Sequence, residues 1–239
     1  RVLPGPGRQG KNPAMVFGFY EPKTGIGNGK RPFRDLAYQL AKRGFVTLSI
    51  GTSEASEAGT YSLFYPDIDN ATVQPLSMLG YAAANAWHAL SKLDDVDHKR
   101  IGITGHSFGG KWAMFASCLF DKFACAAWSD PGIVFDKTGT NPSVNYWEPY
   151  YLGYHKPPWR KRGIVTDKNP AQGLYLNLVE EGFDLHELHT LMAPRPFLVS
   201  GGSEDPPERW IPLNHSIAVN KILGYENRVA MTNRPEHSG

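Results

Sequence analysis

Cysteine is scarce: Cys118 and Cys125 are the only two in the 239 residues. Two are too few for a disulfide framework, and the simplest reading is a pair of buried free thiols. A surplus of charge of one sign is also missing. Twenty-five Lys and Arg against 23 Asp and Glu leave a formal charge of +2, so nothing in the balance calls for nucleic acid or a membrane surface as partner. No apolar run approaches the roughly eighteen residues of a membrane span. No charged-then-apolar leader opens the chain, which starts at Arg1, so the compartment stays open. What is present is ordinary globular composition, 41% apolar and 20% charged, long enough to bury a substantial core.

Strand-like runs alternate with helix-like ones. "AMVFGFY" (14–20) reads as a buried strand, followed by a Gly-rich loop, and "FRDLAYQLAKRG" (33–44) carries apolar residues at helical spacing up to Gly44. "FVTLSI" (45–50), "RIGIT" (100–104), "FACAAWS" (123–129), "PFLVSG" (196–201) and "RVAMTN" (228–233) read as further strands. "PLSMLGYAAANAWHALSKL" (75–93) and "GGKWAMFASCLF" (109–120) read as helices, and "GTSEASEAGTYS" as a loop. Such alternation predicts an α/β fold, a mainly parallel sheet with helices on both faces. Residues 132–187 break the rhythm: Phe135, Tyr146, Trp147, Tyr150, Tyr151, Tyr154 and Trp159 stand among Pro, Gly and Asn. The expectation is one domain over 1–239 with a cap-like insertion at 132–187.

Ser107 sits in "GHSFG", directly after one strand and directly before a helix. That is the context of a nucleophile elbow, where Gly105 and Gly109 let the chain turn sharply and the helix N-terminus faces a developing oxyanion. A serine needs a base, and the base an orienting acid. In this fold they follow in the order Ser, acid, His. "SGGSEDPP" supplies Asp205 just past a late strand, and "TNRPEHSG" supplies His237 past the last one. Asp130, past the strand after the elbow helix, is the alternative acid, and Glu204 a third choice. The oxyanion hole is expected at the backbone N–H of Phe108 and a second N–H near Phe19 to Glu21, with Tyr20 as the candidate. His106 is expected to orient the turn or line the pocket. His98 reads as lying in a turn remote from the elbow, and His215 on a helix after the acid. His186 and His189 flank a glutamate, but not with zinc spacing, so no metal is expected and His186 reads as a helix residue near the cleft.

These motifs resemble the α/β-hydrolase superfamily. Within it, "VDHKRIGITGHSFGGKWAMFAS" and "FDLHELHTLMAPRPFLVSGGSED" are similar to bacterial carbohydrate esterases of the glucuronoyl esterase type. The elbow also resembles acetyl xylan esterases and prolyl-oligopeptidase-like hydrolases. In glucuronoyl esterases the nucleophile lies in Cys-Ser-Arg-x-Gly-Lys, so the resemblance implies that Lys111 reaches sugar hydroxyls. It also implies that Asp130 occupies their frequent acid position, and that the chain works outside the cytoplasm. The flanking Cys and Arg are His106 and Phe108 here, so the arginine that would polarise the carbonyl is absent. Against a full domain of the superfamily, the chain is expected to be incomplete at both ends.

The combined expectation is a serine ester hydrolase acting through an acyl-enzyme on small-molecule or polysaccharide esters of glucuronoyl or acetyl type, with no cofactor. Trp147 and its neighbouring aromatics are candidates to stack on sugar, with Lys111 and Arg160 near polar groups. Two other readings stand beside it: a serine peptidase on short peptides, which usually carries an N-terminal gating domain, and a silent binding module that keeps the fold.

Overall fold

The computed structural model describes residues 2–3, 10–29, 34–57, 59, 62–135, 147, 160–161, 164–171 and 173–233. Seven strands form one sheet: β1 (Val2–Leu3), β2 (Asn12–Phe19), β3 (Val46–Gly51), β4 (Val96–His106), β5 (Ala126–Ser129), β6 (Phe197–Gly201) and β7 (Val229–Asn233). Their order is β1-β3-β2-β4-β5-β6-β7. All pairs are parallel except the short β1, which runs antiparallel to β3 at the edge. The helices are α1 (Pro22–Gly25), α2 (Leu36–Lys42), α3 (Ser53–Glu57), α4 (Pro75–Ser91), α5 (Phe108–Leu119), α6 (Gly173–Glu180), α7 (Leu185–Thr190) and α8 (Trp210–Ile222).

β2 shows why both faces are covered. Successive side chains of a strand point to opposite faces. Ala14 and Val16 join the large core with α4 and α5, whereas Phe17 and Phe19 pack with Ala37 of α2 in a second cluster. Such strands are apolar throughout, as the sequence pattern implies for a sheet sandwiched by helices. α5 is the most enclosed helix: every residue from Phe108 to Cys118 is buried. Its small residues let α4 approach closely, and Trp112 Nε1 donates to the Leu79 carbonyl across that contact at 2.5 Å.

Three local readings need correction. Pro22–Gly25 forms a helical turn within the expected loop, because the Glu21 carboxylate accepts the Thr24 N–H at 3.1 Å as an N-cap. Ser53–Glu57 is likewise a short helix rather than loop. β4 begins at Val96, so His98 lies in the strand and not in a turn. The extension is held by Arg100, which pairs with Asp97 at 2.7 Å and donates to the Lys11 carbonyl. Within 132–187 the structure adds α6, which the aromatic and Pro-rich composition does not announce. Tyr146, Tyr150, Tyr151, Tyr154 and Trp159 lie outside the described residues, as does His155. No helix among the described residues is long and apolar enough to cross a membrane.

Candidate active site

Ser107 stands between β4 and α5 with φ 54° and ψ −114°. For a residue with a Cβ this is strained backbone, of order 1–3 kcal/mol, which persists only where the surroundings impose it. They do so here. A Cβ on Gly105 would collide with the Gly109 carbonyl, and one on Gly109 with the Gly18 carbonyl. The helix therefore starts in direct backbone contact with the ends of β4 and β2. The Ser107 N–H donates to the Ser129 carbonyl at 2.8 Å, and His106 Nδ1 shares a hydrogen bond with Ser129 Oγ at 3.0 Å. His106 thus ties the elbow to the end of β5. The close approach to β2 also brings Tyr20 alongside: its ring stacks on that of Phe108 with centroids 4.9 Å apart.

The two candidate acids lie in the turns after β5 and β6, and each carboxylate grips the backbone of the other's turn. Asp130 Oδ1 accepts the N–H groups of Glu204 and Asp205, both at 3.0 Å. Asp205 Oδ2 accepts the Gly132 N–H at 2.8 Å and its Oδ1 the Ile133 N–H at 2.7 Å. Both side chains are buried. Burial pushes the Asp205 carboxyl up to about 6, with the nearby Asp130 adding to the rise and the two backbone N–H bonds opposing it. Asn233, the last residue of β7, donates from Nδ2 to the Asp205 carbonyl at 2.7 Å. That bond anchors the start of the segment leading to His237, which itself lies outside the described residues. This reciprocal clasp has no sequence signature, because the contacts between its two acid turns join residues over 70 positions apart.

The remaining candidates spread out. Lys111, one helical turn past Ser107, is wholly buried. Its Nζ donates to the Pro131 carbonyl at 2.6 Å and sits 4.6 Å from the centroid of the buried Trp147 ring. Burial pulls its pKa well below 10.5, against the pull of Asp205, Glu204 and Asp130. Arg160 donates to the Lys161 carbonyl. His186 belongs to α7, its ring edge-on to that of His215 in α8 at 5.1 Å. His189 is buried against the stacked rings of Trp128 and Phe197, and desolvation drives it down to about 3, so it is neutral. Among the described residues no group of His, Cys, Asp and Glu is placed to share a metal ion.

The segment that carries the esterase resemblance serves the scaffold. Asp184 and Glu187 form a capping box at the start of α7. Arg195 Nη1 donates to the carbonyls of Ser117 and Phe123, closing the C-terminal end of α5. An apolar cavity of about 470 Å³ lies along α5 away from the elbow, lined by Phe115, Leu119, Phe135 and Leu178. Its polar neighbours Gln74 and Asp184 are engaged as helix caps.

Solved structures share this architecture. The chain is similar to a glucuronoyl esterase from Solibacter usitatus, with a TM-score of 0.65 and 15% identity over 98% of this chain and 71% of that one. A carbohydrate esterase family 15 glucuronoyl esterase from Caldicellulosiruptor kristjansonii matches with a TM-score of 0.63 and 19% identity, covering 99% and 67%. The glucuronoyl esterase catalytic domain from Hypocrea jecorina matches with 0.63 and 14%, covering 99% and 64%. The chain therefore spans about two thirds of these proteins' length, and at such identities the likeness shows the α/β-hydrolase fold. No curated protein matches. The model of the prolyl oligopeptidase family matches residues 83–221, more than half of the chain, from within α4 through the elbow and both acid turns into α8. On that match, this hydrolase-fold chain belongs to the prolyl oligopeptidase family.

Proposed function

We propose that the chain is a serine ester hydrolase acting by an acyl-enzyme, with carbohydrate-linked esters of glucuronoyl or acetyl type as substrates. The observation that carries this reading is the strained Ser107 at a strand-to-helix turn, packed beside two interlocked acid turns. In the proposed cycle His237 takes the Ser107 proton as Oγ attacks the ester carbonyl. Asp205, with Asp130 as the alternative, holds the imidazolium. The Phe108 N–H at the start of α5 and a backbone N–H at Tyr20 receive the oxyanion. Collapse expels the alcohol, which His237 protonates, and water then repeats the sequence on the acyl-enzyme. The buried Trp147 leaves its neighbouring aromatic segment as the candidate sugar platform.

The family match favours a second reading, peptide hydrolysis by the same serine. One panel separates the two: p-nitrophenyl acetate, a benzyl glucuronate ester and a chromogenic prolyl peptide, each with wild type and Ser107→Ala. The proposal expects turnover of one or both esters, lost by about 10⁴-fold or more in the variant. Turnover of the peptide alone would establish the second reading instead, and ester turnover that survives in Ser107→Ala would remove the serine from the mechanism.

A further inference from the structure

Lys111 and Asp205 meet on one peptide unit. The carbonyl of Pro131 accepts Lys111 Nζ at 2.6 Å, and the N–H of the next residue, Gly132, donates to Asp205 Oδ2 at 2.8 Å. The amide between Pro131 and Gly132 therefore has a basic donor on its oxygen and a carboxylate on its hydrogen. Each partner polarises the amide in the sense that strengthens the other's bond. Pro131 has no N–H of its own, so its carbonyl is the one backbone handle it offers.

The surroundings fix Lys111 in this role. Its backbone N–H donates to the Ser107 carbonyl at 3.0 Å, the first turn of α5, so the side chain leaves the helix one turn from the nucleophile. The Trp147 ring lies over Nζ, and both side chains are fully buried. With Nζ enclosed, a sugar hydroxyl could reach it only if the groups that bury it moved aside. The charged groups facing Lys111 are Asp205 and Glu204 in the turn after β6 and Asp130 in the turn after β5.

Resting on the esterase reading above, we propose that Lys111 is a positioning residue for the triad acid and not a sugar contact: through the Pro131–Gly132 peptide it sets the place and ionisation of the Asp205 carboxylate. Neutral or charged, Nζ can hold the Pro131 carbonyl. When charged it also favours the ionised carboxylates around it.

Lys111→Met keeps the length and removes the donor. For the preferred ester, kcat is expected to fall by roughly ten- to a hundredfold while KM stays within about threefold. The acid limb of kcat/KM should move to higher pH, because a carboxylate that loses a neighbouring cation protonates more readily. A sugar contact predicts the opposite split, with KM raised, kcat retained and the pH profile unmoved, and that result overturns the proposal. Two readouts do not need ester turnover. Carboxyl ¹³C titration of Asp205 should rise in pH in Lys111→Met. In the folded wild type, acetylation mapped by mass spectrometry should spare Lys111 while modifying the exposed Lys42 and Lys221. Labelling of Lys111 as fast as those two would overturn the proposal even if the methionine variant failed to fold. If no ester is hydrolysed but both readouts hold, the esterase reading fails and the coupling of Lys111 to Asp205 stands.

Discussion

The turns after β5 and β6 each offer one buried aspartate to the other, yet the two carboxylates are held in different ways. Asp130 Oδ1 accepts the Glu204 and Asp205 N–H groups together, and the residue sits at φ 50°. Its Oδ2 lies against Gly202, where an added Cβ would come within 2.6 Å. Asp205 spreads two N–H bonds over both oxygens, and its carbonyl is tied to Asn233 at the end of β7. Asp130 is thus joined to the elbow side through β5, and Asp205 to the end of β7. The difference teaches that Asp205 is braced on both carboxylate oxygens and tied to β7, and on that ground we propose it, ahead of Asp130, as the triad acid.

Substitution of each aspartate by asparagine breaks this comparison most sharply. Asp205→Asn is expected to cut kcat/KM on the preferred ester by about 10³- to 10⁴-fold, and Asp130→Asn by less than about thirtyfold. Steady-state kinetics on both variants checks it, and the reverse ranking would exchange their roles. The pH profile sharpens the same point. Burial pushes Asp205 up to about 6, so in its proposed role of steadying the base it should make kcat/KM fall tenfold per pH unit below that value. Removing the Asp130 charge takes away a contribution that raises Asp205, so in Asp130→Asn the limb moves to lower pH.

Smaller effects concern stability. At 205 one carboxylate oxygen that accepts a backbone N–H becomes an NH₂ facing it, so Asp205→Asn should cost about 1–3 kcal/mol. Urea midpoints check this. The wild-type Asp205 carboxyl is raised above its ordinary 3.8, so folding takes up a proton between those values. The stability this group contributes is fully present below pH 3.8 and is lost as pH rises through about 6. That slope should vanish in Asp205→Asn. Asn233→Ala removes one hydrogen bond to the Asp205 carbonyl, worth about 1 kcal/mol, and should lower kcat by no more than severalfold.

Much of this was open to reading before any coordinates. The elbow is legible because strand, glycines, serine and helix are contiguous, and Gly105 and Gly109 meet Gly18 as close approach requires. That the sheet is mainly parallel follows from alternation and apolar runs, whereas the strand order appears only in the structure. The aspartates themselves are legible as residues just past strands. Their interlocking is not, since Asp130 and Asp205 meet only after β6 is laid beside β5. The burial of Lys111 is equally hidden: Trp147, read from sequence as a candidate to stack on sugar, instead lies buried against Lys111 Nζ. Arg195 and Glu187, prominent in the resemblance to esterases, cap helices rather than line the elbow.

The central claim is that Ser107 carries the acyl group. Acid-quenched turnover of p-nitrophenyl acetate, digested and mapped by mass spectrometry, tests it most directly. The account predicts one acetyl group on the peptide containing Ser107 in wild type and none there in Ser107→Ala. Steady turnover by folded wild type with no acylation at Ser107, or turnover undiminished in the variant, would contradict it.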